Sequence, residues 1–356
     1  MKKIYFTVGP TQTHPQLGKY LNYGLAKGIY SISHRSKGFG ELFGNTVASL
    51  KKLLNIPEGF HIFFIGSATE AMALIIENCV KDKSFHFVNG SFSKRFFQTA
   101  EELRKHPIKF EVPAGNGFDF SNVSIPNDTE MVCFTQNETS TGVKLDMADI
   151  SKLKTRNPDK LFAIDIVSAT PYASVDYGAI DCAFFSVQKG FGMPSGLGVL
   201  VVNDKCIKKS QMLQGEGINI GSFHNFPSLL KSAGKNQTPE TPNALGIHLL
   251  GQICDNYIKY GLEKIRKETD AKAKLIYDFF DKHNGYSPFV KNPTWRSKTI
   301  IIIETPQGSA PVMEKLKEKG YLVASGYGEF KEKHIRIGNF PMHRIADVKK
   351  ILKILK

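Results

Sequence analysis

Short, wholly apolar runs that alternate with helix-like segments from about residue 45 to residue 255 predict an α/β fold. In such a fold a mostly parallel sheet lies buried between helices. Beyond residue 255 the texture changes to a long amphipathic helix, scattered short strands and a closing helix, which reads as a smaller C-terminal α+β domain. The polar residues also collect where apolar runs give way to loops, the edge of a parallel sheet at which ligands bind. The expected division is a large domain over residues 15–255 and a small one over 256–356, with residues 1–14 packing nearby.

Each element follows from local pattern. Val47 to Leu54 ends a helix, closed by Asn55-Ile56-Pro57-Glu58-Gly59, and His61 to Ile65 is a buried strand. Gly66-Ser67-Ala68-Thr69-Glu70 then turns into the helical run Ala71 to Val80. Phe85 to Asn89 is a second strand, Ser93 to Lys105 a helix and Ile108 to Val112 a third strand; Met131 to Thr135, Leu161 to Ile164, Ala183 to Val187 and Leu197 to Val202 continue the series. In the C-terminal part, Ile258 to His283 reads as one long helix and Thr299 to Glu304 as a strand. Ala310 to Lys319 is helical, Leu322 to Ala324 and His334 to Ile337 are strands, and Ile345 to Leu355 closes the chain as a helix.

Two charged residues stand at the ends of apolar strands. Lys189 follows Ala183-Phe184-Phe185-Ser186-Val187-Gln188, and Asp165 closes Leu161-Phe162-Ala163-Ile164, 24 residues upstream. A lysine able to form an imine and an acid able to hold a pyridinium nitrogen are the polar groups a pyridoxal phosphate enzyme asks of its protein. The plainer alternatives are a solvated lysine and an internal salt bridge to Asp165. Gly190, Gly192, Gly196 and Gly198 surround Lys189 with backbone that can approach a ligand, and Gln188 adds a neutral hydrogen-bonding group. Ser67, Ala68 and Thr69 open a helix whose free N–H groups suit a phosphate, and a plain N-cap is compatible with that. Phe92, between Ser91 and Ser93 at a strand's carboxyl end, is either core or a platform for a cofactor ring. Gln136 to Gly142 and Ser168 lie at the same edge. Arg336 alternates with Ile335 and Ile337, so it is either a solvated strand arginine or a guanidinium facing the cleft to take a carboxylate bidentately.

Composition narrows the class. The chain of 356 residues is 41% hydrophobic and 22% charged, ordinary for a globular protein. No apolar stretch approaches the roughly 18 residues of a membrane span, and the basic start reaches Gly9-Pro10 before a signal-like region develops, so a cytoplasmic location and no membrane partner are expected. Cys79, Cys133, Cys182, Cys206 and Cys254 lie far apart without paired spacing, which argues against a metal site and against disulfides. The net charge of +14 is spread over lysines with no nucleic-acid motif; it suits anionic metabolites rather than nucleic acid. No G-x-G-x-x-G follows the early strands, which argues against a dinucleotide-dependent oxidoreductase. A catalytically dead binding protein of this fold is opposed by the presence of both Lys189 and Asp165.

Five segments, taken in order, resemble the class V aminotransferases of fold type I: Phe63-Phe64-Ile65-Gly66-Ser67-Ala68-Thr69-Glu70-Ala71-Met72, Asn137-Glu138-Thr139, Asp165-Ile166-Val167-Ser168, Ser186-Val187-Gln188-Lys189-Gly190 and His334-Ile335-Arg336-Ile337-Gly338-Asn339. The likeness runs from Gly9-Pro10-Thr11 to the final helix. It implies pyridoxal 5'-phosphate as cofactor, Lys189 as the lysine that holds it as an imine, and Asp165 as the partner of its ring nitrogen. It further implies Phe92 as the stacking residue, Thr139 beside the phenolic oxygen, and Ser67, Ala68, Thr69, Gln188 and Ser168 among the cofactor contacts. Thr241, in Thr238-Pro239-Glu240-Thr241-Pro242-Asn243, resembles the segment that crosses to the phosphate in the other subunit, which implies a homodimer with active sites at the interface. Arg336 would fix the substrate α-carboxylate.

Ser31-Ile32-Ser33-His34-Arg35-Ser36-Lys37 resembles the phosphate-recognising segment of phosphoserine aminotransferases, which implies phosphoserine with 2-oxoglutarate, a step of serine biosynthesis. The second His-Arg pair of many bacterial members is missing ahead of Arg336. Gly326 to Lys333 there looks more like alanine–glyoxylate aminotransferases, so the alternative is an alanine–glyoxylate or serine–pyruvate type enzyme of the same class; for phosphate recognition, Lys331 or Lys333 would then assist His34 and Arg35.

Overall fold

The computed structural model describes residues 3–356; Met1 and Lys2, within the segment 1–14 expected beside the small domain, lie outside the described residues. The chain opens with β1 (Ile4–Phe6), α1 (Leu17–Ala26) and α2 (Lys37–Leu54). Ser36 caps α2, its hydroxyl accepting the Phe39 N–H at 3.2 Å, and Asn55 closes the helix in the left-handed region at φ 53°.

The expected alternation follows. β2 (Phe60–Ile65), α3 (Ala68–Cys79), β3 (Ser84–Val88), α4 (Ser91–Glu102), β4 (Ile108–Glu111) and β5 (Met131–Thr135) lead to a two-stranded ribbon, β6 (Asn137–Glu138) with β7 (Val143–Lys144). Then come α5 (Met147–Arg156), β8 (Leu161–Asp165), β9 (Cys182–Ser186), β10 (Gly198–Asn203), α6 (Asp204–Gly215) and α7 (Phe226–Ala233). Seven of these strands form one sheet in the order β2-β10-β9-β8-β5-β3-β4. β10 runs antiparallel to both neighbours, and the remaining adjacent pairs are parallel. Both faces are covered, which is why the strands read as unbroken apolar runs. Val132, Phe134, Phe162, Ile164 and Phe185 pack on one face with Phe39 and Phe43 of α2; Met131, Cys133, Ala163, Phe184 and Leu200 pack on the other with Ile75 of α3 and Cys206 of α6.

A second sheet, in the order β1-β13-β14-β12-β11, gathers β11 (Ser287–Pro288), β12 (Ile300–Glu304), β13 (Tyr321–Ser325) and β14 (His334–Gly338) with β1, which pairs parallel to β13. Its core holds Phe6, Ile301, Ile303, Ile335 and Ile337 against α10 (Ser309–Lys317) and α11 (Ile345–Leu355). The single helix expected over Ile258 to His283 is instead two, α8 (Ala244–Tyr260) and α9 (Leu262–Phe280), parted at Gly261, whose φ of 96° no helix interior accommodates. α9 gives Ile265 to the large-sheet core and Ala273, Ile276 and Phe280 to the small one. No helix among the described residues is long and apolar enough to cross a membrane.

Candidate active site

β5, β8 and β9 end side by side, so that Asp165, the last residue of β8, meets Thr139 and Lys189 from the segments beyond β5 and β9 at one edge of the sheet. Lys189 is buried. Its Nζ donates to Thr139 Oγ1 at 2.7 Å and sits 5.1 Å above the centre of the Phe92 ring. Burial pushes this amine below the ordinary lysine range, while the Asp165 and Glu138 carboxylates pull the other way. An amine so displaced keeps a nucleophilic neutral fraction near neutral pH.

Asp165 is also buried. Its Oδ1 accepts the Val167 N–H at 2.8 Å, and no cation forms an ion pair with it among the described residues, so the internal salt bridge weighed from sequence is not found. Desolvation raises its carboxyl well above the usual range. A buried acid with a single donor is a site for a protonated ring nitrogen.

Phe92 is held by a residue that sequence reasoning left unused. Glu138, fully buried, accepts the backbone N–H groups of Phe92 and Ser93 at 3.2 and 2.9 Å, and those of Ser140 and the Ser140 hydroxyl at 3.0 and 2.7 Å. It caps α4, whose own N-cap position is Gly90, from 48 residues away, so no local capping pattern announces it.

The turn into α3 behaves as an N-terminus with capacity left over. Ser67 Oγ accepts the Glu70 N–H at 3.1 Å, and the Ala68 N–H donates to Ser186 Oγ at 2.8 Å. Thr69 is exposed, and its N–H and hydroxyl make no hydrogen bond among the described residues. Gly198 lets the turn approach β10, since a Cβ there would meet the Ser67 carbonyl carbon at 2.7 Å. Two residues beyond Ser186, Gln188 carries a buried Oε1 with no hydrogen-bond partner among the described residues. A helix N-terminus with free donors beside an unsatisfied amide accommodates a phosphate. With Asp165, Lys189 and Phe92, these residues fit pyridoxal phosphate.

Three expectations change. Two of the glycines after Lys189 press on protein: a Cβ at Gly190 would lie 2.0 Å from the Thr170 carbonyl oxygen, and one at Gly192 2.7 Å from the His14 nitrogen. The glycine that admits the lysine is Gly9, where a Cβ would meet Lys189 Cε at 2.8 Å. Ser168 is spent on Asn137, accepting its Nδ2 at 2.9 Å and donating to its carbonyl at 2.6 Å, so it ties two loops together. The cysteines far apart in sequence are not all apart in space: Cys79, Cys182 and Cys206 meet in the core, their sulfurs within 4.8 Å of one another. Cys182 and Cys206 are 3.2 Å apart, shorter than the edge of about 3.8 Å that tetrahedral zinc with bonds near 2.3 Å requires, so as arranged they are packed thiols.

The substrate-facing residues divide into two groups. Arg336 lies at the cleft, buried, with Nε on the Ser325 carbonyl at 2.7 Å, Nη1 3.4 Å from the Thr139 carbonyl, and its guanidinium carbon 5.3 Å over the Tyr327 ring. Nη2 has no partner among the described residues. Tyr327, not singled out from sequence, also leans on Phe92 at 5.6 Å between ring centres. His34, Arg35 and Thr241 form the second group, with no contact to Lys189. The Arg35 guanidinium donates to Gln237 Oε1, the Thr238 carbonyl and the Pro239 carbonyl at 2.9, 2.9 and 3.0 Å, gripping the segment that presents an exposed Thr241.

A family model described as aminotransferase class-V matches residues 7–331. The chain belongs to the class V aminotransferases. It is 25% identical over 353 residues to a phosphoserine aminotransferase of Rhodococcus opacus, covering 98% of this chain and 93% of that one. It is 28% identical over 357 residues to an uncharacterized aminotransferase of Methanocaldococcus jannaschii, covering 95% and 88%. The crystal structure of a phosphoserine aminotransferase from Cytophaga hutchinsonii superposes with a TM-score of 0.97 at 42% identity, over 99% of this chain and 98% of that one. An alanine–glyoxylate aminotransferase from Nostoc shares the fold at a TM-score of 0.82 and 19% identity, over 100% and 96%. As a class V aminotransferase of fold type I, the protein is a pyridoxal-phosphate-dependent enzyme acting on small molecules.

Proposed function

We propose that this aminotransferase exchanges amino groups between phosphoserine and 2-oxoglutarate, or in reverse between glutamate and 3-phosphohydroxypyruvate, as a cytoplasmic homodimer. The observation that carries the transamination is the buried Lys189 amine, pushed down in pKa, on the Thr139 hydroxyl above the Phe92 ring. The substrate assignment is supported by the phosphoserine aminotransferase of Cytophaga hutchinsonii at 42% identity and by the His34-Arg35 pair.

Bound pyridoxal phosphate supplies an electron sink for the pair left on the substrate α carbon. The chain's residues do the rest. Lys189 Nζ, freed when the amino donor takes its place, removes the proton from the α carbon and returns a proton as general acid. Asp165 would keep the ring nitrogen of the bound cofactor protonated, so that the negative charge developing on the α carbon is stabilised by a cationic ring. Phe92 would stack on the ring, Thr139 would hydrogen-bond its phenolic oxygen, and Ser67, Ala68, Thr69 and Gln188 would hold the phosphate. Arg336 takes the α-carboxylate with its free Nη2 and neighbouring donors, which fixes the Cα–H bond over the ring face.

Arg35 and Thr241 act as a unit, since Arg35 grips residues 237–239. If Thr241 reaches the partner's cofactor phosphate, Arg35 and His34 travel with it to the mouth of the partner's cleft, where a phosphorylated side chain would lie. The division into a large domain over 15–255 and a small one over 256–356 with 1–14 belongs to the same proposal, supported by the pairing of β1 with β13. Amino-donor assays with phosphoserine, alanine and serine against 2-oxoglutarate and glyoxylate test the reading.

A further inference from the structure

His224 sits outside every role described so far. Its Nδ1 is 2.5 Å from Glu70 Oε1 and its Nε2 2.9 Å from Glu240 Oε2, so one imidazole bridges two carboxylates. Both neighbours are functionally placed. Glu70 closes the turn into α3, its other oxygen accepting the Gly66 N–H at 2.7 Å, and Glu240 precedes Thr241. The bridge is mostly buried, with side chains 16%, 31% and 30% exposed. The two carboxylates hold the imidazole in its charged form at neutral pH, so both contacts are charge-assisted.

The loop bearing His224 is itself anchored to α3. Asn78, fully buried near the end of that helix, donates from Nδ2 to the Leu74 and Ile220 carbonyls at 2.9 and 3.2 Å and accepts the Phe226 N–H at 2.9 Å. Asn225 then caps α7. His224 therefore has little freedom to follow Glu240 elsewhere, and the far side of the 237–240 segment is gripped by Arg35.

We infer that His224 is a positioning residue that straps each subunit's own phosphate turn to the segment it lends its partner, so that one side chain supports cofactor retention in both sites of the dimer. This rests on the reading that Thr241 reaches the partner's cofactor.

Mixed dimers separate the two. One subunit carries Lys189→Ala, so borohydride can fix cofactor only to the intact Lys189 of its partner, and a further substitution on the Lys189→Ala chain acts on that partner in trans. With His224→Gln added in trans, cofactor should leave the intact site about ten-fold faster on dilution than with Lys189→Ala alone, the scale of an ordinary coupling between sites. Glu240→Gln in trans should do the same. The pair together should add little, because both break one bridge. Thr241→Val in trans is the control: loss of cofactor there together with normal retention for both His224→Gln and Glu240→Gln overturns the strap alone. Normal retention for Thr241→Val overturns the crossing segment, and the strap's trans action with it. Sedimentation of the mixed dimers excludes simple dissociation as the cause of any loss.

Discussion

The proposed chemistry rests on two residues that the sequence made visible, because each is a charged group at or just beyond the end of a largely apolar strand, where burial demands a reason. Replacing Lys189 with Ala should lower turnover by at least about four orders of magnitude, since proton transfer and the covalent hold on cofactor are lost together. Circular dichroism should show the fold intact, and borohydride reduction of the wild type should label Lys189; a label on another lysine would dissolve the site. Asp165→Asn should keep some cofactor and lose about two orders of magnitude in kcat, because an amide does not stabilise a ring cation. Near-wild-type kcat would leave Asp165 a structural acid. Glu138, Gly9 and Tyr327 were not legible as site residues. Their partners lie dozens of residues away, and only folding brings Glu138 beneath Phe92 or Gly9 against the lysine stem. Gly190 and Gly192 misled for the same reason: local pattern marks close approach but not what approaches.

At the scale of elements, strands buried on both faces announced themselves, and β5 and α11 begin and end where apolar pattern places them. The helices α1, α5, α6, α7 and most of α8 went unread, and the end of α8 was fused to α9, because periodicity passes across Gly261 while its backbone does not. Caps supplied from afar are equally silent, and they carry weight. Glu138→Gln turns an amide donor toward the N–H groups at the start of α4, which should cost about 2 to 3 kcal/mol and lower Tm measurably. The His224 bridge gives a pH signature with a definite sign. Its imidazole is raised to about 9 from an ordinary value of 6.5 by Glu240 and Glu70, so its contribution to stability is fully present below about 6.5 and lost as pH rises through about 9. Glu70 and Glu240 are held below 4.5, so their share is lost as pH falls through that range. The Tm gap between wild type and His224→Gln should therefore be widest near pH 5 to 6.5 and close above about 9; a gap independent of pH would mean that the charge on His224 does not matter.

For the whole molecule, the large sheet, the small sheet and the segment Thr238 to Pro242 have separate tasks in the proposed account: the first holds cofactor, the second carries Arg336, and the third, braced by Arg35, presents the exposed Thr241. Substrate choice was the least legible property, because the proposed phosphate site draws on a segment lent by a second chain, which local pattern does not record. If His34 and Arg35 meet the substrate phosphate, Arg35→Ala removes a charge-assisted contact worth about 1.5 to 3 kcal/mol, so kcat/KM for phosphoserine should fall by one to two decades more than kcat/KM for alanine, whose smaller loss reports the freed 237–239 segment. Arg336→Ala should harm every donor, since all share the α-carboxylate. The most direct measurement is kcat/KM of the wild type for phosphoserine with 2-oxoglutarate beside alanine with glyoxylate. The account predicts that phosphoserine is preferred by at least about ten-fold, the least a single charge-assisted contact supplies; equal rates, or a preference for alanine with glyoxylate, would contradict it.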